Sequence, residues 1–176
     1  MKYIFLSLFI SFTVSFSFND SGISSIDKKV ERRAQKIFGK NSVATKIKHS
    51  DLIEVKGIIV GYEIMKDGNV TGRAYHGITE VCYFGGCSAY TDVSKNVSRE
   101  EVKYLIYLDE NTTVKFIDIV DFESSYGYEI AAKWWLQQFY DKKPGNFVVG
   151  YDIDGISGAT VSCQQMVATI NNFQLK

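Results

Sequence analysis

Two histidines, three cysteines, one proline and no net charge leave several kinds of chemistry without material. Basic and acidic residues number 20 each and are intermixed along the chain, which removes the long-range attraction that nucleic-acid binding relies on. Nucleic acid is therefore set aside as a partner. Cys82, Cys87 and Cys163 form neither a Cys-x-x-Cys-His haem site nor a four-cysteine iron–sulfur pattern, and two thiols with no neighbouring His or third Cys do not complete a tetrahedral metal site. No nucleophile sits beside a general base, and His49 and His76 stand in isolated polar or turn contexts that read as surface, so no catalytic residue is expected. Repeats and low-complexity linkers are missing too. Past the N-terminus no apolar run reaches the ~20 residues that span a bilayer.

What is present suits one folded domain. The chain has 176 residues, 45% of them hydrophobic and 14% aromatic, enough to bury a core. Its first residues, "MKYIFLSLFISFTVSFSFNDSG", set Lys2 before a short apolar run and supply Ser15 and Ser17 as small residues for a signal peptidase. Residues 1–17 read as a signal peptide and residues 18–176 as the mature domain, exported to a periplasmic or extracellular compartment; an uncleaved anchor, which would leave the domain membrane-associated, is the competing reading. In such an oxidising compartment "CYFGGC" reads as a Cys82–Cys87 disulfide closed through Gly85 and Gly86, with a redox-active pair as the alternative.

Hydrophobic spacing lays out the elements. Val30, Ala34, Ile37 and Phe38 mark a helix that opens with Ser24 and Asp27 as a capping box and closes on Gly39. Two hairpins follow, one turning at "KDGN" and one at "DENT". A second helix is expected in "GYEIAAKWWLQQFYDKKPG", with Tyr128, Ala131, Ala132, Trp135 and Phe139 on one face and Pro144 with Gly145 ending it. A third carries Ala159, Cys163, Met166, Val167, Ile170 and Phe173 toward the core, which leaves Cys163 as a buried free thiol. The order predicts an α+β domain, with antiparallel hairpins packed against about three helices.

The start of that third helix is unusually small: "SGAT", Ser157 to Thr160. With Ser157 as the cap, the amides of Gly158, Ala159 and Thr160 would be free N-terminal donors backed by the helix dipole, an arrangement that binds a phosphate. An ordinary Ser cap, with Gly and Ala there for tight packing, is the alternative.

The longer string "DGISGAT", Asp154 to Thr160, resembles the flavinylation motif D-x-x-[ST]-G-A-T of the FMN-binding domain family, found in bacterial membrane-linked redox systems. The likeness extends upstream over roughly the C-terminal half, through a hairpin, a Glu with small residues and Gly, and a helix ending in "QF". It implies FMN as cofactor, joined to Thr160 by a phosphoester, which makes the chain a phosphoprotein in the chemical sense. It also implies a FAD:protein FMN transferase that recognises Asp154, with Ser157, Gly158 and Ala159 forming the phosphate cradle. The family's frequent E-T-P-G-L-G stands here as Glu123, Ser124, Ser125, Tyr126, Gly127, Tyr128; Glu123 and Ser124 fit, and the Pro and one Gly are gone. Glu123 reads either as a solvated loop carboxylate or as a group near the flavin ring or ribityl chain, and at most one of Tyr126, Tyr128, Trp134 and Trp135 is expected to stack on the ring. The implied function is an exported electron carrier rather than a stand-alone enzyme, exchanging electrons with donor and acceptor proteins, some of them at a membrane complex. A non-redox binding module and a flavin-dependent thiol oxidoreductase using Cys82 and Cys87 are the alternatives.

Overall fold

The computed structural model describes residues 24–48, 55–82, 99–122 and 127–174. The expected signal peptide, the Cys82–Cys87 pairing, and Glu123 and Ser124 fall outside them.

Helix α1 (Ser25–Phe38) starts where its sequence says it should. The Ser24 hydroxyl accepts from the Asp27 amide at 3.2 Å while the Asp27 carboxylate accepts from the Ser24 amide at 3.1 Å, a reciprocal capping box. Asp27 also accepts from Lys46 Nζ at 2.8 Å and from the Tyr62 hydroxyl at 2.7 Å. One side chain thus caps the helix and fastens it to the sheet.

Five strands follow in a meander, β1 (Val43–Lys46), β2 (Ile58–Lys66), β3 (Asn69–Cys82), β4 (Arg99–Asp109) and β5 (Val114–Phe122), each antiparallel to the next. Both expected turns form. Asp67 and Gly68 have φ of +52° and +84°, as a two-residue hairpin of this twist demands. At the other, the Asp109 carboxylate accepts from the Asn111 and Thr113 amides at 2.9 Å each. The edge strand β1 is an addition that the sequence pattern did not mark.

Helices cover both faces. Val30 and Ala34 of α1 pack on Tyr62, Ile64, Ala74, Leu105 and Tyr107. The opposite face presents Tyr75, Val81, Val102, Tyr104, Ile106 and Leu108 to a second helical layer. β4 lies under both layers, so its residues are buried on either face from Tyr104 to Leu108.

The second layer corrects the expected second helix. It is three short pieces: a 3₁₀ turn over Tyr128–Ala131, α2 (Lys133–Leu136), and another 3₁₀ turn over Gln137–Phe139, with an extended break at Ala132 (φ −63°, ψ 129°). Ile130 and Trp135 are both fully buried. Five residues apart on a continuous helix they would point about 140° away from each other, and the break turns both inward. Of the expected apolar face, Trp135 and Phe139 reach the core, whereas Ala131 and Tyr128 are exposed.

Helix α3 (Thr160–Asn171) buries Cys163, Met166, Val167 and Ile170, with Ala159 before it and Phe173 after it, as its spacing predicts. It runs antiparallel to β3. Thr169 Oγ1 lies 2.7 Å from Thr79 Oγ1, and Phe173 packs on Tyr75 with ring centroids 5.3 Å apart. Its first turn therefore lies toward the end of the sheet where β3 leaves and β4 enters.

Candidate functional site

The segment from Asp154 to Thr160 links two buried anchors. Ile153 is buried just upstream, and Ala159 is 3% exposed at the foot of α3. Asp154 is held by its backbone: its amide donates to Gln138 Oε1 at 2.7 Å, and its carbonyl accepts from Trp135 Nε1 at 2.7 Å. Its carboxylate is exposed. Ile156 is partly buried against the core, and its carbonyl accepts from the Ala159 amide at 3.0 Å, closing a turn with Gly158 at φ +85°. A β-carbon added to Gly158 would meet nothing within 4 Å, so the turn is open to approach from outside.

This geometry changes the expected cap. Ala159, with no side-chain hydrogen bond, is the residue preceding the helix, and Ser157 lies two positions earlier in the exposed turn. The Ala159 amide is spent on Ile156. The free donors of the first turn are accordingly those of Thr160, Val161 and Ser162, displaced along the chain from the expected trio of Gly158, Ala159 and Thr160. Ala159 is small because its methyl is buried in the core; the open approach is the work of Gly158. Thr160 is exposed at the first helical position, so its hydroxyl can be reached.

Gly127 brings a second segment to the same place. It has φ +74°, and a β-carbon there would fall 2.3 Å from Ser162 Oγ, so only glycine allows this backbone so near α3's first turn. The chain that contains Glu123 and Ser124 thus rejoins the described fold beside Ser162, two residues past Thr160. Of the aromatic candidates, Trp135 is fully buried and edge-on to Phe139 at 5.3 Å, which removes it as a stacking surface; Tyr128 and Trp134 are exposed. Tyr126 lies outside the described residues.

Cys163 is free and buried, and its thiol is pushed above its ordinary pKa by burial. His76 is half-buried in β3 rather than at the surface, and burial, with Lys103 and Lys29 nearby, pushes its pKa down. The Cys163 amide donates to the Ala159 carbonyl at 2.9 Å, which ties the first turn of α3 to the end of the Asp154–Thr160 segment. Sequence reasoning gave Gln138 no role, and it placed Trp135 on an apolar helix face or on the flavin ring rather than against Asp154. Their spacing of three puts them on one face, but that they grip Asp154 depends on a contact across 16 to 19 positions.

Residues 99–173 match the model of a family described as FMN-binding domain. The matched stretch runs from the start of β4 through α3 and contains every described residue of the site above. No curated protein matches the chain.

Proposed function

Residues 99–173 belong to the FMN-binding domain family, which makes this a flavin-binding protein, and from that premise we propose that it is an exported electron carrier holding FMN covalently on Thr160. The observation that carries the reading is an exposed hydroxyl at the first position of a twelve-residue helix, beside free first-turn amides and an open glycine turn. These features fit a phosphate: the Thr160, Val161 and Ser162 amides can receive its oxygens, the helix dipole favours its charge, and Gly158 puts no side chain in its way.

In the proposed modification Thr160 Oγ attacks the FMN phosphorus of FAD. The Oγ–P bond forms, the pyrophosphate P–O bond breaks, AMP departs with the bridging oxygen, and the hydroxyl proton passes to a base of the transferase. No electron is transferred. Bound FMN then supplies one- and two-electron chemistry, and the chain's own contribution is to hold the phosphate end and tune its surroundings. Exposed Asp154 and Ser157 are the side chains available for the transferase to read. We propose in addition that Cys82 and Cys87 are paired after export, so that thiol counting on the unfolded, non-reduced protein finds Cys163 alone.

The test is intact mass after export from a host with an active transferase. Wild type should gain FMN less one water, and Thr160→Ala should gain nothing while folding normally. A colourless, unmodified wild type would leave a non-redox binding module as the better reading.

A further inference from the structure

The motif's first residue is gripped where no sequence pattern would show it. Asp154 engages both of its backbone polar groups with side chains, its N–H donating to Gln138 Oε1 and its C=O accepting from Trp135 Nε1, each at 2.7 Å. The two side chains pair with Asp154 as a neighbouring strand would. Trp135 is fully buried and fixed against Phe139, so the grip is rooted in the core. Downstream the chain is refixed only at partly buried Ile156 and buried Ala159, with Gly155, Ser157 and Gly158 exposed between. Without the grip, Asp154 itself is held only through its neighbour Ile153, whose side chain is buried and whose backbone bonds Val148 and Gly150.

We infer that Gln138, with Trp135, is a positioning residue for the modification of Thr160: its carbonyl oxygen holds Asp154 so that the Asp154–Thr160 segment meets the transferase in one geometry. This rests on Thr160 as the acceptor, and the transfer it serves is the one balanced above, FAD and threonine giving the phosphoester and AMP. The Asp154 amide is a donor, so it fixes which end of the Gln138 side chain faces it. Gln138 Nε2 is left buried with no hydrogen-bond partner among the described residues. The acceptor oxygen is then the working half of this amide, and a variant that keeps the oxygen and drops the NH2 should keep the function.

The experiment times covalent flavin incorporation into the mature chain by purified transferase and FAD, read as intact mass, beside hydrogen exchange of the Asp154 amide and the thermal midpoint. Gln138→Met, close in shape and without an acceptor, should lose about tenfold or more in kcat/KM for modification, as misplacement of a reacting group does. It should exchange the Asp154 amide faster and melt within a few degrees of wild type. Gln138→Glu, which keeps an acceptor, should recover the rate and the protection. Trp135→Phe, which keeps a ring and drops the donor, should slow modification as the Met variant does, and it serves if that variant folds poorly. Wild-type rate and protection in Gln138→Met overturn the inference, as does a Glu variant as slow as the Met variant, which would assign the role to the NH2. A wild type left unmodified by a transferase that loads a reference substrate overturns the Thr160 reading and this inference together.

Discussion

Gly127 and Gly158 both have positive φ, yet they should answer differently to a methyl group. At Gly158 the space is empty, so Gly158→Ala carries only the left-handed strain, about 1 kcal/mol. Gly127→Ala adds a β-carbon 2.3 Å from Ser162 Oγ and should cost about 2–4 kcal/mol in urea denaturation. Adding Ser162→Ala should return part of that loss, because the clashing oxygen goes, and a double-mutant cycle measures how much. Asp27 yields a second residue-scale prediction. Burial raises its pKa, but the hydrogen bonds from Lys46, Tyr62 and Ser24 outweigh this and hold it at about 2. A carboxylate depressed on folding stabilises the protein above its unfolded pKa, and that share is lost as pH falls. Wild type should therefore lose stability between about pH 4 and pH 2, and Asp27→Asn should lack that component. Urea midpoints followed over this range check the difference.

At the scale of elements, legibility followed locality. α1 could be read to the residue because its capping box, apolar stripe and terminal Gly39 all lie within sixteen positions of chain. The hairpin turns were equally legible, since Asp67–Gly68 and Asp109 carry their own backbone chemistry. β1 was not, because four residues take their strand character from pairing with β2. The break at Ala132 was hidden for a related reason: it exists so that Ile130 and Trp135 can enter one core, and that core is assembled by other elements. For α3, the buried face was evident in the spacing. Its start was misjudged, because Ser is a good cap in isolation and the Ile156–Ala159 turn, closed through Gly158, postponed the helix to Thr160. The fastening of α3 to β3 can be tested. Thr169 donates to the Gln165 carbonyl at 2.9 Å, which leaves the Thr79 hydroxyl to donate to Thr169 Oγ1. Thr169→Val strands the Thr79 hydroxyl in a buried place and should cost about 1–3 kcal/mol. Thr79→Val with Thr169→Val should cost less than the two single changes added, as thermal or urea unfolding of the three variants would show.

Across the whole molecule, the matched stretch and the folding unit are different things. Residues 99–173 contain β4, β5 and the second helical layer, but β4 is paired along its whole length with β3, from Gly72 to Cys82, and Tyr75 and Val81 of β3 complete the core under α3. On the other face, Val30, Ala34, Tyr62, Ile64 and Ala74 cover Leu105 and Tyr107. A fragment of residues 99–173 would expose the face of β4 that α1 covers and the edge that β3 pairs, and it should show no cooperative unfolding transition by circular dichroism, whereas a chain that keeps residues 24–174 should show one. The same connectivity sets an order of assembly. Sheet neighbours are consecutive in the chain, joined at β2–β3 by a two-residue turn, while the Thr79–Thr169 contact closes a loop of 90 residues. Loop-closure entropy favours the near contacts first and the docking of α3 last. Thr160 gains its fixed surroundings only in that closing step, so under the proposed attachment flavin on this residue would act as a timestamp: a loaded chain would be one that had finished folding before the transferase met it.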